Sequence, residues 1–307
     1  MKKISERRGR CANGKGKIMN KYYTLSNGMM LPGIAFGTYE VNDPEVFVTA
    51  MQHGYRYFDT ASFYGNEEAL GEGVRLAVAK GIVKREDLIL SSKCWRTEMG
   101  YEKTMAAFEA SLKRMGLDVM DLYLIHWPRP NLTDENWREV SRETWRALED
   151  LYQAGKVRAI GISNFLVHHM ENLLTTARIT PMVEQLELHP GYLQKEAVDF
   201  ARSKGMVILG WSPLGKNRLS ENETLLEIAG RYDISVQELC LAFEAASDII
   251  PLPKSTNPER MDMNMAAIDI QLKAEDIEKI RGMKRRGWGG EHPDHERVKD
   301  VSLLDEK

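Results

Sequence analysis

Eight short apolar segments alternate with stretches of helical periodicity along most of this chain of 307 residues. The segments lie at 33–37, 55–59, 88–93, 121–126, 159–163, 182–187, 207–211 and 249–251. Between them, apolar residues recur at helical spacing, for example in 101–115 and 137–154. A strand followed by a helix, eight times over, predicts a protein of class α/β with a (β/α)8 TIM barrel. No linker or composition shift interrupts the pattern, so residues 21–307 are predicted to form a single domain.

A turn signal precedes the first of these segments. Two short apolar runs, 22–25 and 29–31, flank Asn27 and Gly28. Asn-Gly between apolar runs is typical of a β-hairpin with a type I′ turn. The sequence therefore predicts a hairpin ahead of the barrel.

The overall charge excludes some partner classes. The formal net charge is −3, so no global positive field favours nucleic acid or a membrane surface. No apolar run is long enough to span a bilayer. The three cysteines, Cys11, Cys94 and Cys240, are widely spaced and odd in number. They fit a reducing compartment better than a disulfide framework or a zinc site, so a cytoplasmic location is expected.

Residues 1–20 differ from the rest of the chain. They hold seven lysines and arginines against the single acidic residue Glu6, without the apolar region of a secretory signal. We interpret them as a disordered basic extension, with Met19 as a possible natural start. Residues 9–16 nearly match a phosphate-binding loop, but Gly16 stands where serine or threonine is needed and no strand precedes the segment.

Four polar residues lie at or just after the ends of three successive predicted strands. Asp59, Lys93 and His126 each close an apolar run, and Tyr64 follows Asp59 in a short loop. Chemistry in parallel α/β proteins occurs at this edge of the sheet. Taken singly, these residues could equally be a helix cap, a surface lysine, a core histidine and a half-buried aromatic. Their joint placement favours a catalytic site.

Seven sequence motifs, in order, resemble the aldo-keto reductase family. They are GYRYFDTASFYGNEEALG, LILSSKCW, LDVMDLYLIHWP, KVRAIGISNF, QLELHP, GWSPLG and IIPLPKSTNPERMDMN, and they cover about residues 22–290. The nearest branch is similar to bacterial 2,5-diketo-gluconate reductases and prostaglandin F synthase-like reductases. The resemblance implies that the hairpin closes the bottom of the barrel.

The resemblance also assigns roles to the four polar residues. Tyr64 is expected to be the general acid that protonates a carbonyl oxygen. A free phenol, with a pKa near ~10, donates poorly at neutral pH, so the Lys93 ammonium is expected to lower the pKa of Tyr64. Asp59 would pair with Lys93, and His126 would orient the substrate oxygen.

None of these groups supplies a hydride, so a cofactor is required. After residue 20 the chain has no G-x-G-x-x-G fingerprint. The resemblance implies NADP(H) lying extended across the barrel mouth, with Trp211, where most relatives have tyrosine, stacked on the nicotinamide. The other positions expected to contact the nicotinamide half of the cofactor and its pyrophosphate are Thr38, Asp59, Ser163, Asn164, Gln185, Ser212 and Leu214.

The segment after the eighth strand predicts a phosphate site. Asn257 can cap a helix whose first residue is Pro258. The helix N-terminus, with Lys254 and Arg260, favours an anion such as the 2′-phosphate of NADP. The resemblance adds an adenine contact at Asn264, preceded by Met263 in place of a common acidic residue. The positions expected to hold this end of the cofactor are Lys254, Ser255, Thr256, Arg260 and Asn264.

An aromatic substrate pocket is expected around His126. Tyr39, Trp95 and Trp127 each lie just beyond a strand end, and Trp288 could close the pocket from the C-terminal tail. Such a pocket suits a carbonyl compound of moderate size and does not distinguish sugar ketones, methylglyoxal and aromatic aldehydes.

Histidines elsewhere give weaker signals. His168 and His169 are expected to face solvent, and His292, Asp294 and His295 show no closed ligand set, so no metal is predicted.

The sequence thus predicts NADPH-dependent reduction of aldehydes and ketones in the cytoplasm, and the resemblance implies a monomer. The alternative is an NADPH-binding sensor barrel with little turnover. In the resembled family, steroid double-bond reductases carry glutamate at the position of His126, so His126 argues against that activity. A metal-dependent hydrolase would need a carboxylate and histidine cluster at the strand ends. The physiological substrate and the stereochemistry are left open.

Overall fold

The computed structural model describes residues 21–298 and contains the predicted barrel. Eight parallel strands follow one another around it in chain order. Main-chain hydrogen bonds from Ala35 to Pro251 and from Gly37 to Pro253, both 3.0 Å, connect the first strand to the last and close the barrel. With the hairpin strands β1 and β2, the strands are Tyr22–Thr24, Met30–Pro32, Phe36–Gly37, Tyr57–Asp59, Ile89–Cys94, Leu122–Ile125, Ile160–Ser163, Val183–Glu187, Val207–Trp211 and Ile249–Leu252 (β1–β10).

Helices connect successive barrel strands, as the periodicity predicts. Within residues 21–298, two helices lie between β9 and β10 and a further two follow β10. Helices α1–α10 are Pro44–Gln52, Glu67–Ala79, Tyr101–Met115, Trp137–Gln153, Val167–Leu174, Lys195–Ser203, Glu223–Tyr232, Val236–Ala246, Pro258–Ala267 and Ala274–Arg281.

The barrel strands are shorter than some of the apolar runs that predicted them. The run 33–37 supplies only two residues of β3, because Gly33 donates its N–H to Lys21 beside the hairpin. The apolar residues outside the ladder are still buried, including Ile34 and Tyr55. Apolar character therefore marks burial over a longer stretch than strand pairing.

The predicted hairpin is present, but its predicted turn type is wrong. Leu25 pairs with Met29, which leaves a loop of three residues, and Gly28 has a φ of 86° whereas Asn27 is not left-handed. A type I′ turn needs a positive φ at both central residues, so this turn belongs to the three-residue class that ends in a left-handed glycine.

Contacts of the hairpin place it at the bottom of the barrel. Asn27 donates to the carbonyl of Arg158, just before β7, and Lys21 donates to the carbonyl of Ala245, ahead of β10. Both partners precede a barrel strand, so the hairpin covers the N-terminal ends of the strands, opposite the predicted site.

The core lies inside the barrel and between the strands and helices. Close packing explains the glycine in β7, since a Cβ at Gly161 would lie 2.3 Å from Val183 Cγ2. A smaller apolar cluster, including Leu225, Leu239 and Ile280, joins α7, α8 and α10. Within residues 21–298, no helix combines the length and the apolar character needed to cross a membrane. The predicted basic extension at 1–20, with Cys11 and the loop-like segment 9–16, lies outside the described residues.

Candidate active site

A buried ion pair forms the base of the site. Asp59 ends β4 and Lys93 lies in the neighbouring β5, where Asp59 is paired with Ser91 in the parallel ladder. Side chains alternate along a strand, so Ser91 and Lys93 point to the same face. Lys93 Nζ donates to Asp59 Oδ2 at 2.5 Å and to the carbonyl of Thr60 at 2.9 Å.

Two further donors fix the other oxygen of Asp59. Ser91 Oγ donates to Asp59 Oδ1 at 2.7 Å, and Gln185 Nε2 donates to the same atom at 3.0 Å. Every polar atom of this buried carboxylate is therefore held by β5 or β8, as a buried charge requires.

Tyr64 lies above this pair, in a short 3-10 turn. The Lys93 ammonium lies 5.1 Å from the centroid of the phenol ring, and the ring meets His126 edge to face at 5.7 Å. Enclosure of the phenol raises the pKa of Tyr64, and the lowering effect of Lys93 only partly offsets it. The predicted lowering of this pKa is therefore wrong, because desolvation of the phenolate outweighs the nearby ammonium.

Lys93 and His126 differ in protonation, since one is charged and the other is neutral. Burial alone would lower the pKa of Lys93, but the Asp59 carboxylate and the Tyr64 phenol together outweigh it, and the pKa is raised. Burial lowers the pKa of His126 well below its ordinary value, and the positive charges of Lys93 and Arg96 add to the effect. The site therefore holds a charged lysine beside a neutral imidazole. Within residues 21–298, Nδ1 of His126 has no hydrogen-bond partner.

A chain of amides and an indole extends from this cluster along the barrel mouth. Asn164 Nδ2 donates to the carbonyl of His126 at 2.9 Å, and Trp211 Nε1 donates to Asn164 Oδ1 at 2.9 Å. Ser163 Oγ donates to the carbonyl of Gln185 at 2.8 Å. The indole of Trp211 is thus held by a hydrogen bond to Asn164.

The loop after β9 has unusual backbone conformations. Ser212, Lys216 and Asn217 have φ values of 53°, 51° and 64°, and Asn164 after β7 has 63°. Non-glycine residues in the left-handed region cluster at ligand sites, where the surrounding structure imposes the strain. The positions predicted to contact the pyrophosphate lie in this loop.

The predicted helix cap is present at the other end of the mouth. Asn257 accepts the N–H of Arg260 at 3.0 Å, and Pro258 is the first residue of α9. Ser255 Oγ accepts the N–H of Asn257. Lys254 forms an ion pair of 3.2 Å with Glu40, which leaves the exposed Arg260 beside the helix N-terminus.

A cleft of about 720 Å³ at the C-terminal ends of the strands joins these parts. Lys93 lies behind its wall, and four residues of the predicted adenosine end, Ser255, Thr256, Arg260 and Asn264, lie outside its lining. The predicted residues that line it are Thr38, Tyr39, Asp59, Tyr64, Trp95, His126, Trp127, Ser163, Asn164, Gln185, Trp211, Ser212, Leu214 and Lys254.

Residues 25–285 match the model of the aldo/keto reductase family. The chain belongs to this family. It is 41% identical to the oxidoreductase YtbE of Bacillus subtilis over 89% of this chain and 96% of that one. It is also 41% identical to a glyoxal reductase of Bacillus subtilis, over 88% and 95% of the two chains. A Bombyx mori aldo-keto reductase solved in complex with NADP is 30% identical, with a TM-score of 0.79 and coverage of 94% and 98%.

The residues of this aldo/keto reductase fit an NADP(H) molecule. Gln185 has donated its amide N–H to Asp59, which leaves its carbonyl oxygen to accept from a carboxamide. Trp211 presents a flat apolar face, and the capped helix N-terminus beside Arg260 suits a phosphate.

The C-terminal tail differs from its prediction. Trp288 is buried against Tyr192 and Arg285 and does not line the cleft. Glu291 and Arg297 line the cleft instead and form an ion pair of 3.2 Å. The tail therefore borders the cleft with charged rather than aromatic residues.

His169 is buried, contrary to its predicted exposure. Asp294 lies 3.1 Å from His168 Nε2 and 2.9 Å from His169 Nε2, and Arg129 bonds the same carboxylate. His169 Nδ1 accepts the N–H of Leu166, so its proton is on Nε2 and points at Asp294. A metal at Nε2 would need the proton on Nδ1, facing that N–H. These three side chains, which gather within 4.8 Å, therefore do not fit a metal ion.

Cys94 is not a pocket thiol. It is buried beside Thr104, and burial raises its pKa to about 12.

Phe63 and Arg96, which sequence reasoning missed, do line the cleft. Phe63 stacks on Trp95 with ring centroids 3.8 Å apart. Each adjoins a residue that was predicted, and this adjacency was the available signal.

Proposed function

We propose that this chain reduces aldehydes and ketones to alcohols with NADPH, using Tyr64 as general acid. The convergence of Tyr64, the Lys93–Asp59 pair and a neutral His126 at the base of one cleft carries the proposal. The family and the YtbE oxidoreductase and glyoxal reductase similarities support the reaction class.

The protein residues act on the carbonyl oxygen. Bound NADPH supplies the hydride that is transferred to the carbonyl carbon. Tyr64 donates its proton to the oxygen, and the adjacent Lys93 ammonium stabilises the phenolate that is left. Asp59 positions Lys93. His126, neutral, donates a hydrogen bond that orients the oxygen toward the phenol. In the reverse direction, the phenolate would accept the proton from an alcohol.

Four groups of residues are proposed to hold NADP(H). Ser163, Asn164 and Gln185 bind the carboxamide, and Trp211 stacks on the nicotinamide. Thr38 and Asp59 reach the adjacent ribose, and Ser212 and Leu214 follow the pyrophosphate. The positions proposed for the 2′-phosphate and adenine are Lys254, Ser255, Thr256, Arg260 and Asn264. Tyr39, Trp95 and Trp127 enclose the substrate.

Three coarser features complete the proposal. Residues 21–307 act as one barrel domain, supported by the family match over 25–285. The protein works as a cytoplasmic monomer without a metal. The near-neutral formal charge of −3 suits a small-molecule substrate rather than a polyanionic partner.

Loss of NADPH absorbance with a panel of carbonyl compounds tests the reaction. The panel is methylglyoxal, 4-nitrobenzaldehyde, a keto-aldose and a steroid enone, with NADH in parallel and with chelator added to a duplicate series. Turnover of carbonyl compounds, faster with NADPH and unaffected by chelator, is expected. Binding of NADPH, seen as quenched tryptophan fluorescence, with no turnover of any compound would refute the proposal and favour a sensor.

A further inference from the structure

Arg96 occupies the substrate side of the cleft. It follows Trp95 in the short turn after β5, and its guanidinium lies over the indole of Trp127, with Cζ 4.5 Å from the ring centroid. The same indole lies beside His126, with ring centroids 6.5 Å apart. Arg96 and the proposed oxygen-orienting imidazole are therefore separated by about one indole.

The guanidinium has no ionic partner among residues 21–298. Its one hydrogen bond there, from Nη1 to the carbonyl of Arg129, is long at 3.4 Å. Glu291 lies in the same cleft wall but is paired with Arg297 at 3.2 Å. Of the other cations that line the cleft, Lys254 is paired with Glu40, and Lys216 lies in the loop after β9, on the side proposed for the pyrophosphate.

The environment of Arg96 disfavours its charge. Burial lowers the pKa of Arg96 to about 10, and the nearby Glu291 only partly opposes this. Charged groups removed from water are normally paired, because desolvation without a partner is costly. A half-buried guanidinium that lines a ligand cleft without a carboxylate partner is therefore well placed to pair with an anionic group of a ligand.

We propose that Arg96 binds a carboxylate of the substrate, so that this reductase favours aldehydes and ketones that carry an acid group. The inference rests on the proposed function and names its substrate class. The planar guanidinium matches the two oxygens of a carboxylate. Trp95 and Trp127 would cover the short aromatic or aliphatic skeleton that joins the acid to the carbonyl at His126 and Tyr64.

A matched substrate pair tests this. The kcat/KM of the protein with NADPH is measured for 4-carboxybenzaldehyde and for its uncharged methyl ester, methyl 4-formylbenzoate. The wild type is expected to prefer the acid about tenfold or more, which is the size of one charge-assisted interaction. Arg96→Leu is expected to abolish that preference by slowing the acid only. Arg96→Lys, which keeps the charge but not the planar guanidinium, should retain part of the preference for the acid.

Arg138 provides the control. Its guanidinium also stacks on a tryptophan, with Cζ 4.6 Å from the Trp137 ring, but it is exposed and outside the cleft. Arg138→Leu should leave the preference unchanged. Added salt should raise the KM of the acid and leave the KM of the ester unchanged, because screening weakens only the charged contact.

The outcomes separate the two proposals. Equal kcat/KM for acid and ester in the wild type, or an acid preference that persists in a folded Arg96→Leu variant, would overturn the role of Arg96 and leave the reductase proposal intact. If neither aldehyde is reduced, the proposed function fails. Calorimetry of benzoate against benzamide on the NADPH-loaded protein then decides the role of Arg96, and equal binding of the two would overturn it.

Discussion

Lys93 and Asp59 form an ion pair that is almost completely excluded from solvent, with 0% and 4% of their side chains exposed and 2.5 Å between Nζ and Oδ2. The pair joins neighbouring strands inside the barrel, and Ser91 and Gln185 bond the remaining carboxylate oxygen. Removing one member of such a pair leaves an uncompensated buried charge.

Asp59→Asn should therefore destabilise the fold strongly. The free energy of unfolding in urea is expected to fall by about 3–5 kcal/mol, because the Lys93 ammonium stays buried without its carboxylate. The double variant Asp59→Asn with Lys93→Met should recover part of the loss, since no charge remains. Asp199→Asn, which breaks the exposed pair with Lys195, should change stability by less than about 1 kcal/mol. Equal stability of Asp59→Asn and wild type would contradict the account.

Tyr64→Phe should separate catalysis from cofactor binding. Removing the phenol oxygen takes away the general acid, so kcat for carbonyl reduction is expected to drop roughly 10²–10⁴-fold. The proposed cofactor contacts involve other residues, so the Kd for NADPH from fluorescence quenching should change little. A variant that loses NADPH binding to the same extent as turnover would show that Tyr64 has a different role.

The pH profile should be flat across the neutral range. Carbonyl reduction needs a protonated Tyr64, whose pKa is raised above its ordinary 10.0, and a neutral His126, whose pKa lies well below its ordinary 6.5. Activity is lost only when pH rises through the pKa of Tyr64 or falls through that of His126. We expect kcat/KM to be constant from about pH 7 to about pH 9. A basic limb within that interval, or NMR titration of His126 near 6.5, would disprove the assignments.

The proximity of most residues of the proposed catalytic cluster was predictable from sequence, because parallel strands end at one edge of the barrel. Asp59, Lys93 and His126 each close an apolar run, so their proximity follows from topology. The pKa of Tyr64 was not predictable in the same way. The direction of its shift depends on how completely the phenol is enclosed, and residues from several distant elements determine this enclosure.

Contacts between residues far apart in the chain account for the other features that the sequence did not predict. The guanidinium of Arg96 lies over Trp127 on the next βα loop, and His169 contacts Asp294, which is 125 residues away in the chain. No periodicity or local motif encodes such contacts. The predicted type of the hairpin turn was wrong for a local reason. Asn-Gly is compatible both with a two-residue turn and with a longer loop that ends in a left-handed glycine.

Arg260→Ala should reduce the preference for NADPH over NADH. Arg260 is exposed at the capped N-terminus of α9, where a 2′-phosphate would gain from both the charge and the helix dipole. The KM for NADPH is expected to rise about tenfold while that for NADH stays nearly constant. Arg281→Ala, at an exposed arginine paired with Glu278 on α10, is the control and should alter neither value. An equal rise for both cofactors would remove the phosphate assignment.

Glu244→Met should stabilise the protein. Glu244 lies on α8 and is fully buried, and neither carboxyl oxygen has a hydrogen-bond partner within residues 21–298. Methionine keeps the length of the side chain and removes both unpaired oxygens. The free energy of unfolding is expected to rise by about 1–3 kcal/mol, which is the usual cost of a buried unsatisfied polar group.

The stabilisation by Glu244→Met should depend on pH. Burial raises the pKa of Glu244 well above its ordinary 4.5, so above that pH the unfolded chain releases a proton that the folded protein keeps. The wild type therefore loses stability as pH rises through 4.5, and the advantage of Glu244→Met should be larger at about pH 8 than at about pH 4. Glu184→Met is the matched control, because this buried carboxyl already accepts the N–H of Phe165 and its replacement leaves that donor unpaired. A Glu244→Met variant less stable than wild type at both pH values would show that the carboxyl is satisfied in solution.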